Sequence, residues 1–140
     1  MLLKLLEKIF GTASQRQINK ILPLLTSVHD AEEAFENLST EELRGITTTF
    51  RREIATATVE LHKEIIDIDK EILACDDADE VEELRNERKK KLDELFRSEQ
   101  ETLDAIMPRA FAGIRETCRR LVGSEFDVLG SKFVWDMIPY

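Results

Sequence analysis

Apolar positions recur at helical spacing along nearly the whole chain. Leu2, Leu5, Leu6 and Ile9 share one face of the opening segment, widened by Leu3 and Phe10. Lys4, Glu7 and Lys8 take the other face, and Gly11 stops the helix. A helix of about ten residues is marginal by itself in water, so it needs a surface to lie on. Ser14 and Gln17 form a capping-box pattern that opens a second helix, carried by Ile18, Ile21, Leu22, Leu25 and Val28. Pro23 falls inside that run and predicts a kink or a break near Leu22. Phe35 and Leu38 close the segment.

A third helix opens at Ser39, where Glu42 completes a second capping box and Leu38 and Leu43 take the positions of a hydrophobic staple. Ile54, Thr58, Leu61, Ile65, Ile68 and Ile72 then alternate steps of four and three, the seam of a coiled coil. "ACDDAD" interrupts the pattern, and Asp79 with Glu82 restarts it as a further capping box. Val81, Leu84, Leu92 and Leu95 carry an apolar stripe back, weakened where Arg88 occupies the seam. The simplest arrangement is two antiparallel arms joined by a short acidic turn. Pro108 suits the first turn of another helix, with Phe111, Ile114, Cys118 and Leu121 on its buried face and Gly123 at its end. Arg119 and Arg120 sit near that end, where positive charge is favoured. In the tail Phe126 and Val128 alternate, then Phe133, Trp135 and Met137, about a Gly130-Ser131 turn. This predicts a small β-hairpin that must pack on something. The predicted fold class is all-α in the main: elongated helices with an antiparallel coiled-coil hairpin and a small C-terminal β-hairpin.

Composition narrows the function classes. The 140 residues suit one ordinary domain or an elongated helical piece, and 35% charged residues with five Gly and three Pro suit exposed helices around a thin core. A net charge of −9 argues against a general nucleic-acid binder. Cys75 and Cys118 lie far apart in unlike settings, as expected of a reduced cytosolic chain. No apolar run reaches the roughly 18 residues of a transmembrane helix. "MLLKLLEKIFG" is too short and too charged for a signal peptide.

Candidate chemistry is sparse. There is no Gly-rich phosphate loop, no GxSxG elbow and no CxxC pair. His29 and His62 are single and far apart, which suits surface residues better than ligands or catalysts. "DDADE" at Asp76–Glu80 lacks the Gly and spacing of a calcium loop and reads as turn plus cap. Cys75 is expected to be exposed, without a basic neighbour to lower its pKa. "RNERKKKL" at Arg85–Leu92 reads as a solvated face answering the acidic arm opposite, since no aromatic residues interleave it as a nucleic-acid patch would require. No catalytic residue, cofactor site or metal site is assigned.

Four stretches together resemble the N-terminal region of the SecA family, the motor ATPases of bacterial preprotein translocation. They are "MLLKLLEKIFG", "LSTEELRGITTTFRREI", "LDAIMPRAFAGIRETCRRLVG" and "WDMIPY", at Met1–Gly11, Leu38–Ile54, Leu103–Gly123 and Trp135–Tyr140. Their order and the Pro-Arg-Ala-Phe-Ala-x-Ile-Arg-Glu pattern carry the resemblance. It departs from the common family pattern in the charged helical hairpin interposed at about 55–101, and its tail is similar to only part of the family.

The resemblance implies a division into residues 1–54, N-terminal helices of the motor's first nucleotide-binding domain; 55–101, an inserted helical hairpin; and 102–140, a helix and β-hairpin leading into the ATPase core. It implies an ATP-driven motor that moves preproteins through the SecY channel, with ATP and magnesium held by residues beyond this chain. The functional element that carries over is the first helix, through Leu2, Lys4, Leu5, Leu6, Lys8 and Ile9. In the family that helix is associated with anionic phospholipid, channel engagement and dimer contacts. A cytoplasmic protein held peripherally at the inner face of the cell membrane follows, with homo-oligomers open and no nucleic-acid partner. The competing expectation is a free-standing helical adaptor that binds or oligomerises through its coiled coil.

Overall fold

The computed structural model describes residues 13–139, so the expected first helix lies outside the described residues. Helix covers 81% of the structure and one small antiparallel sheet completes it, as the mainly α reading requires. The order is α1 (Ala13–Glu36), α2 (Thr40–Ala74), α3 (Ala78–Leu121), β1 (Glu125–Val128) and β2 (Ser131–Val134). The chain divides into two compact units: Met1–Leu43 with Pro108–Tyr140, and Arg44–Met107.

In the first unit α1 runs through Pro23 without the expected break. A proline removes one backbone donor but leaves helical φ accessible. Ser27 and Thr26 place their hydroxyls on the carbonyls of Pro23 and Leu22 at 3.1 and 3.2 Å. The helix starts at Ala13, so Ser14 lies inside its first turn rather than at the cap. At the next boundary the capping box forms as read. Ser39 N–H donates to Glu42 Oε2 at 2.7 Å, and Glu42 N–H donates to Ser39 Oγ at 3.3 Å. Leu43 is buried beside it and Leu38 half-buried, at the two staple positions.

Pro108 also lies inside a helix. The return arm and the segment after Pro108 are one 44-residue helix, not two. Of the face expected to be buried, Cys118 is buried and Leu121 half-buried, but the other two members are not. Phe111 and Ile114 are half exposed, whereas Ala112, Glu116 and Cys118 are buried. Gly113 explains the choice: a Cβ there would stand 3.0 Å from the Phe35 ring, so the backbone of α3 comes close to α1 on that side. Glu116, only 5% exposed, is held between Arg119 Nε at 2.8 Å and Arg120 Nε at 2.5 Å. Arg120 Nη2 also donates to the carbonyls of Phe35, Glu36 and Leu38, at 3.3, 3.4 and 2.7 Å. Phe35 and Glu36 end α1, where a helix leaves acceptors without intrahelical donors, and Leu38 follows just beyond it. One guanidinium therefore caps α1 and pairs a buried carboxylate of α3.

Gly123 in the left-handed region (φ 82°) stops α3 as expected, and its N–H donates to Trp135 O at 2.8 Å. The β-hairpin pairs Phe126 with Phe133 and Val128 with Ser131. Its turn is Leu129-Gly130, one residue earlier than read, with positive φ at both (54° and 81°). Right-handed strand twist favours such turns in two-residue hairpins. Asp127 Oδ1 accepts from Gly130 N–H at 3.0 Å, and the Phe126 and Trp135 rings pack edge to face at 6.2 Å.

The second unit is the antiparallel hairpin. Along α2 all six seam residues are shielded: Thr58, Ile65 and Ile68 are buried, and Ile54, Leu61 and Ile72 half-buried. Thr58 hydrogen-bonds the Ile54 carbonyl at 2.9 Å, which satisfies its hydroxyl in the core. On α3 the seam continues from Val81 and Leu84 through Arg88, Lys91, Leu95, Ser98 and Thr102, all half-buried. Lys91 thus takes the place expected of Leu92, which is exposed. A lysine fits there because its stem lies along the seam while its ammonium reaches Glu64 at 2.7 Å and Glu94 at 3.3 Å. The hydrogen bonds it donates to those carboxylates raise its pKa. Arg88 forks onto Asp69 at 2.5 and 3.4 Å. The basic run is therefore not all solvated, since two of its members turn across the seam. At the tip, Asp77 caps α3 in place of Asp79, accepting from Asp79 and Glu80 N–H at 2.9 and 3.0 Å.

Replacing Arg120 by Ala should lower unfolding free energy by about 2 kcal/mol in urea titration, since it strips Glu116 of one partner and removes the guanidinium that three carbonyls share. Burial pushes the Glu116 carboxyl up, but the two arginines outweigh it and hold the carboxyl below its ordinary 4.5. Its contribution is therefore present above 4.5 and fades as pH falls through the lower folded value. Glu116→Gln should flatten that acid limb of stability. Leu129→Asn should raise unfolding free energy by about 0.5 kcal/mol in the same titration, because Asn tolerates the left-handed conformation that Leu129 adopts.

Candidate functional site

The six residues expected to dock at the membrane, Leu2, Lys4, Leu5, Leu6, Lys8 and Ile9, lie outside the described residues. What the first unit does present is an apolar cleft of about 270 Å³ between α1 and the end of α3. Ile21, Leu24, Leu25 and Val28 supply one wall, Phe111 and Ile114 the other, and Pro139 closes one side. Ile21, Leu25 and Val28 stand at the helical spacing read from sequence, but only Val28 is buried, and the other two flank an opening. Ile21 and Ile114 are more than half exposed. Such a concave apolar wall suits the side chains of another segment.

A charged cluster borders the cleft. Arg115 pairs with Glu32 and approaches His29 Nδ1 at 3.4 Å, which joins α1 to α3. Its Nε is buried and has no hydrogen-bond partner among the described residues. A second, smaller cleft of about 50 Å³ lies beside it, lined by Glu32, Glu36, Arg119 and Ile138 among others. That volume holds a water or two at about 30 Å³ each and is far too small for a nucleotide. His29 thus stands in an ion-pair cluster, not beside a nucleophile. His62 is exposed, and its Nδ1 donates to the Thr58 carbonyl at 3.0 Å, an ordinary helix-surface contact.

Cys75 lies in the hairpin turn with its thiol 3.3 Å from Glu80 Oε2. Burial and the nearby carboxylates raise its pKa, so it is a poor nucleophile at neutral pH. Among the described residues no group of three or more His, Cys, Asp or Glu is placed to hold a metal ion, and no helix is long and apolar enough to cross a membrane. The arrangement can bind an apolar segment and form ion pairs. Sequence reasoning missed the Arg115–Glu32 pair and the Arg120 cap. The spacing of Glu116 to Arg119 and Arg120 is visible locally, but the carbonyls of α1 lie more than eighty residues away.

The SecA DEAD-like domain model matches residues 6–132. The "Protein translocase subunit SecA" of Chloroherpeton thalassium is 34% identical over 143 residues, taking in 99% of this chain and 13% of the relative. That of Prosthecochloris aestuarii is 32% identical over 144 residues, covering 99% and 14%. That of Salinibacter ruber is 27% identical over 158 residues, covering 96% and 13%. The chain therefore spans about a seventh of the length of these curated relatives, and the match takes in the hairpin. No solved structure matches. With its family model matched across residues 6–132, the chain belongs to the SecA DEAD-like domain family.

Proposed function

We propose that this chain is the opening region of an ATP-driven protein translocase motor and serves there as a docking and interaction region without catalysis of its own. The observation that carries the reading is the family match across residues 6–132. Residues 1–54 and 102–140 then belong to the first nucleotide-binding domain, and 55–101 is a helical hairpin set between them. The apolar cleft of the first unit is the seat for a segment of the ATPase core, which would also bring a carbonyl to the unpartnered Arg115 Nε. ATP and magnesium are bound by that core, and preproteins pass to the SecY channel through the whole motor.

The opening residues Leu2, Lys4, Leu5, Leu6, Lys8 and Ile9 dock on anionic phospholipid and on the channel, at the cytoplasmic face of the membrane. An apolar strip flanked by lysines suits that surface, each lysine contributing roughly 1 kcal/mol near anionic lipid. The net charge of −9 opposes the attraction, so binding is weak and falls steeply with salt. The 140-residue chain should float with anionic vesicles at low salt and much less with neutral ones. Lys4→Glu with Lys8→Glu should abolish most of that flotation, while charge reversal of Lys89 and Lys90 should do less. Flotation that survives the first pair of changes and disappears with the second would sink the docking assignment.

Phosphate binding needs converging backbone amides or fixed cations, and phosphoryl transfer needs a metal-holding carboxylate beside them. Two described clefts place cations beside carboxylates, but Lys91 in one is paired with Glu64 and Glu94, and Arg115 and Arg119 in the other with Glu32 and Glu116. Calorimetry with magnesium-ATP and the 140-residue chain should give no saturable heat at micromolar protein. A saturable isotherm would move nucleotide binding into this region.

A further inference from the structure

The apolar face of α1 is longer than the part its neighbour covers. Val28 and Phe35 are buried, whereas Ile18, Ile21, Leu22 and Leu25, nearer its start, are 50, 59, 49 and 42% exposed. Steps of three, one and three keep these four side chains on one face of the helix. Ile21 and Leu25 border the cleft described above, while Ile18 and Leu22 extend the apolar surface past it.

The opening segment repeats the same spacing. Leu2, Leu5, Leu6 and Ile9 also follow steps of three, one and three, with Lys4, Glu7 and Lys8 on the other side. That pattern reads the same from either end, so two helices carrying it match when they run antiparallel. Leu2 then comes level with Leu25, Leu5 with Leu22, Leu6 with Ile21 and Ile9 with Ile18. The connection permits this. α1 starts at Ala13, and the chain from Ile9 to Ala13 spans up to about 14 Å. Packed helix axes stand about 8–10 Å apart, and αα-hairpins turn in about two to five residues. Gly11 falls within that turn.

We propose that residues 2–9 fold back as a helix onto Ile18, Ile21, Leu22 and Leu25 and close an αα-hairpin within the first unit. The occupant is the chain's own opening segment because its length, spacing and tether all match the strip. A helix of about ten residues is marginal alone in water, and the strip supplies the surface it lacks. The short tether holds it at an effective concentration on the order of millimolar, which any other segment has to outcompete. Lys4, Glu7 and Lys8 stay on the outer side, in water. Leu24, Phe111, Ile114 and Pro139 remain to line the cleft. One consequence rests on the lipid-docking reading, although the cover itself does not. The apolar side chains that would meet lipid are those laid against α1, so fold-back and membrane docking exclude each other.

Disulfide trapping in the 140-residue chain tests the cover without lipid. Leu2→Cys with Leu25→Cys, in a Cys75→Ser background, should close an intramolecular bond on mild oxidation at micromolar protein. Leu2→Cys with Ser27→Cys should close at least about tenfold more slowly, because Ser27 lies on the opposite face of α1. Hydrogen exchange at the amides of residues 6–9 should be at least about tenfold slower in the unmodified chain than in Leu22→Glu. The amides of α1 should keep their protection in that variant, since the Leu22 side chain is half exposed. Equal closure by both cysteine pairs, or exchange that Leu22→Glu leaves unchanged, overturns the proposal. Covalent dimers in place of the internal bond also overturn it, and give the strip to a second copy. Closing the Leu2–Leu25 disulfide should abolish flotation with anionic vesicles, and reduction should restore it. A closed chain that still floats overturns the exclusion. A reduced chain that never floats counts against the docking reading alone, while trapping and exchange still decide the cover.

Discussion

The first unit depends on one guanidinium. Arg120 donates to the buried Glu116 and at the same time to three carbonyls at and just beyond the end of α1. Without it, a helix terminus and a carboxylate would both lie shielded from water and poorly paired, a costly combination. Gly113 makes this approach feasible by leaving room for the Phe35 ring, so close backbone packing and the ionic cap operate over the same two turns of α3. Which side of α3 is buried follows from this contact. The larger apolar side chains, Phe111 and Ile114, are turned outward to the cleft.

The hairpin unit rests on a different balance. Its outgoing arm supplies β-branched and leucine seam residues, while its return arm offers Arg88, Lys91, Ser98 and Thr102 at equivalent positions. A seam so polar stabilises less by burial than an all-leucine one. Its ion pairs to Asp69 and Glu64 define register instead, because a slip of one turn would separate both pairs. The same half-polar interior leaves Val59, Ile66, Leu73 and Phe96 on the surface. In both units, then, apolar side chains that could have thickened a core are presented outward.

Membership of the SecA DEAD-like domain family gives that outward presentation a context. The chain covers about a seventh of the length of its curated relatives. The cleft of the first unit is apolar, the histidines make surface contacts, and burial and nearby carboxylates raise the pKa of the Cys75 thiol.

Local patterns determined much of this protein. The Ser39–Glu42 capping box, the α2 seam, the stop at Gly123 and the β-hairpin all arise from residues a few positions apart, where spacing alone states the physics. The family was legible in the same way, through short stretches in a fixed order. Tertiary structure decided what depended on distant partners. Whether Pro23 and Pro108 interrupt their helices turns on packing and substitute hydrogen bonds, because proline permits the helical φ even where it removes a donor. The exchange of Leu92 for Lys91 in the seam required a carboxylate twenty-seven residues earlier, at Glu64. The buried side of α3 required the backbone of α1, which no periodicity in α3 could announce. Period specifies that a helix has two faces; only the neighbour that arrives decides which of them is inside.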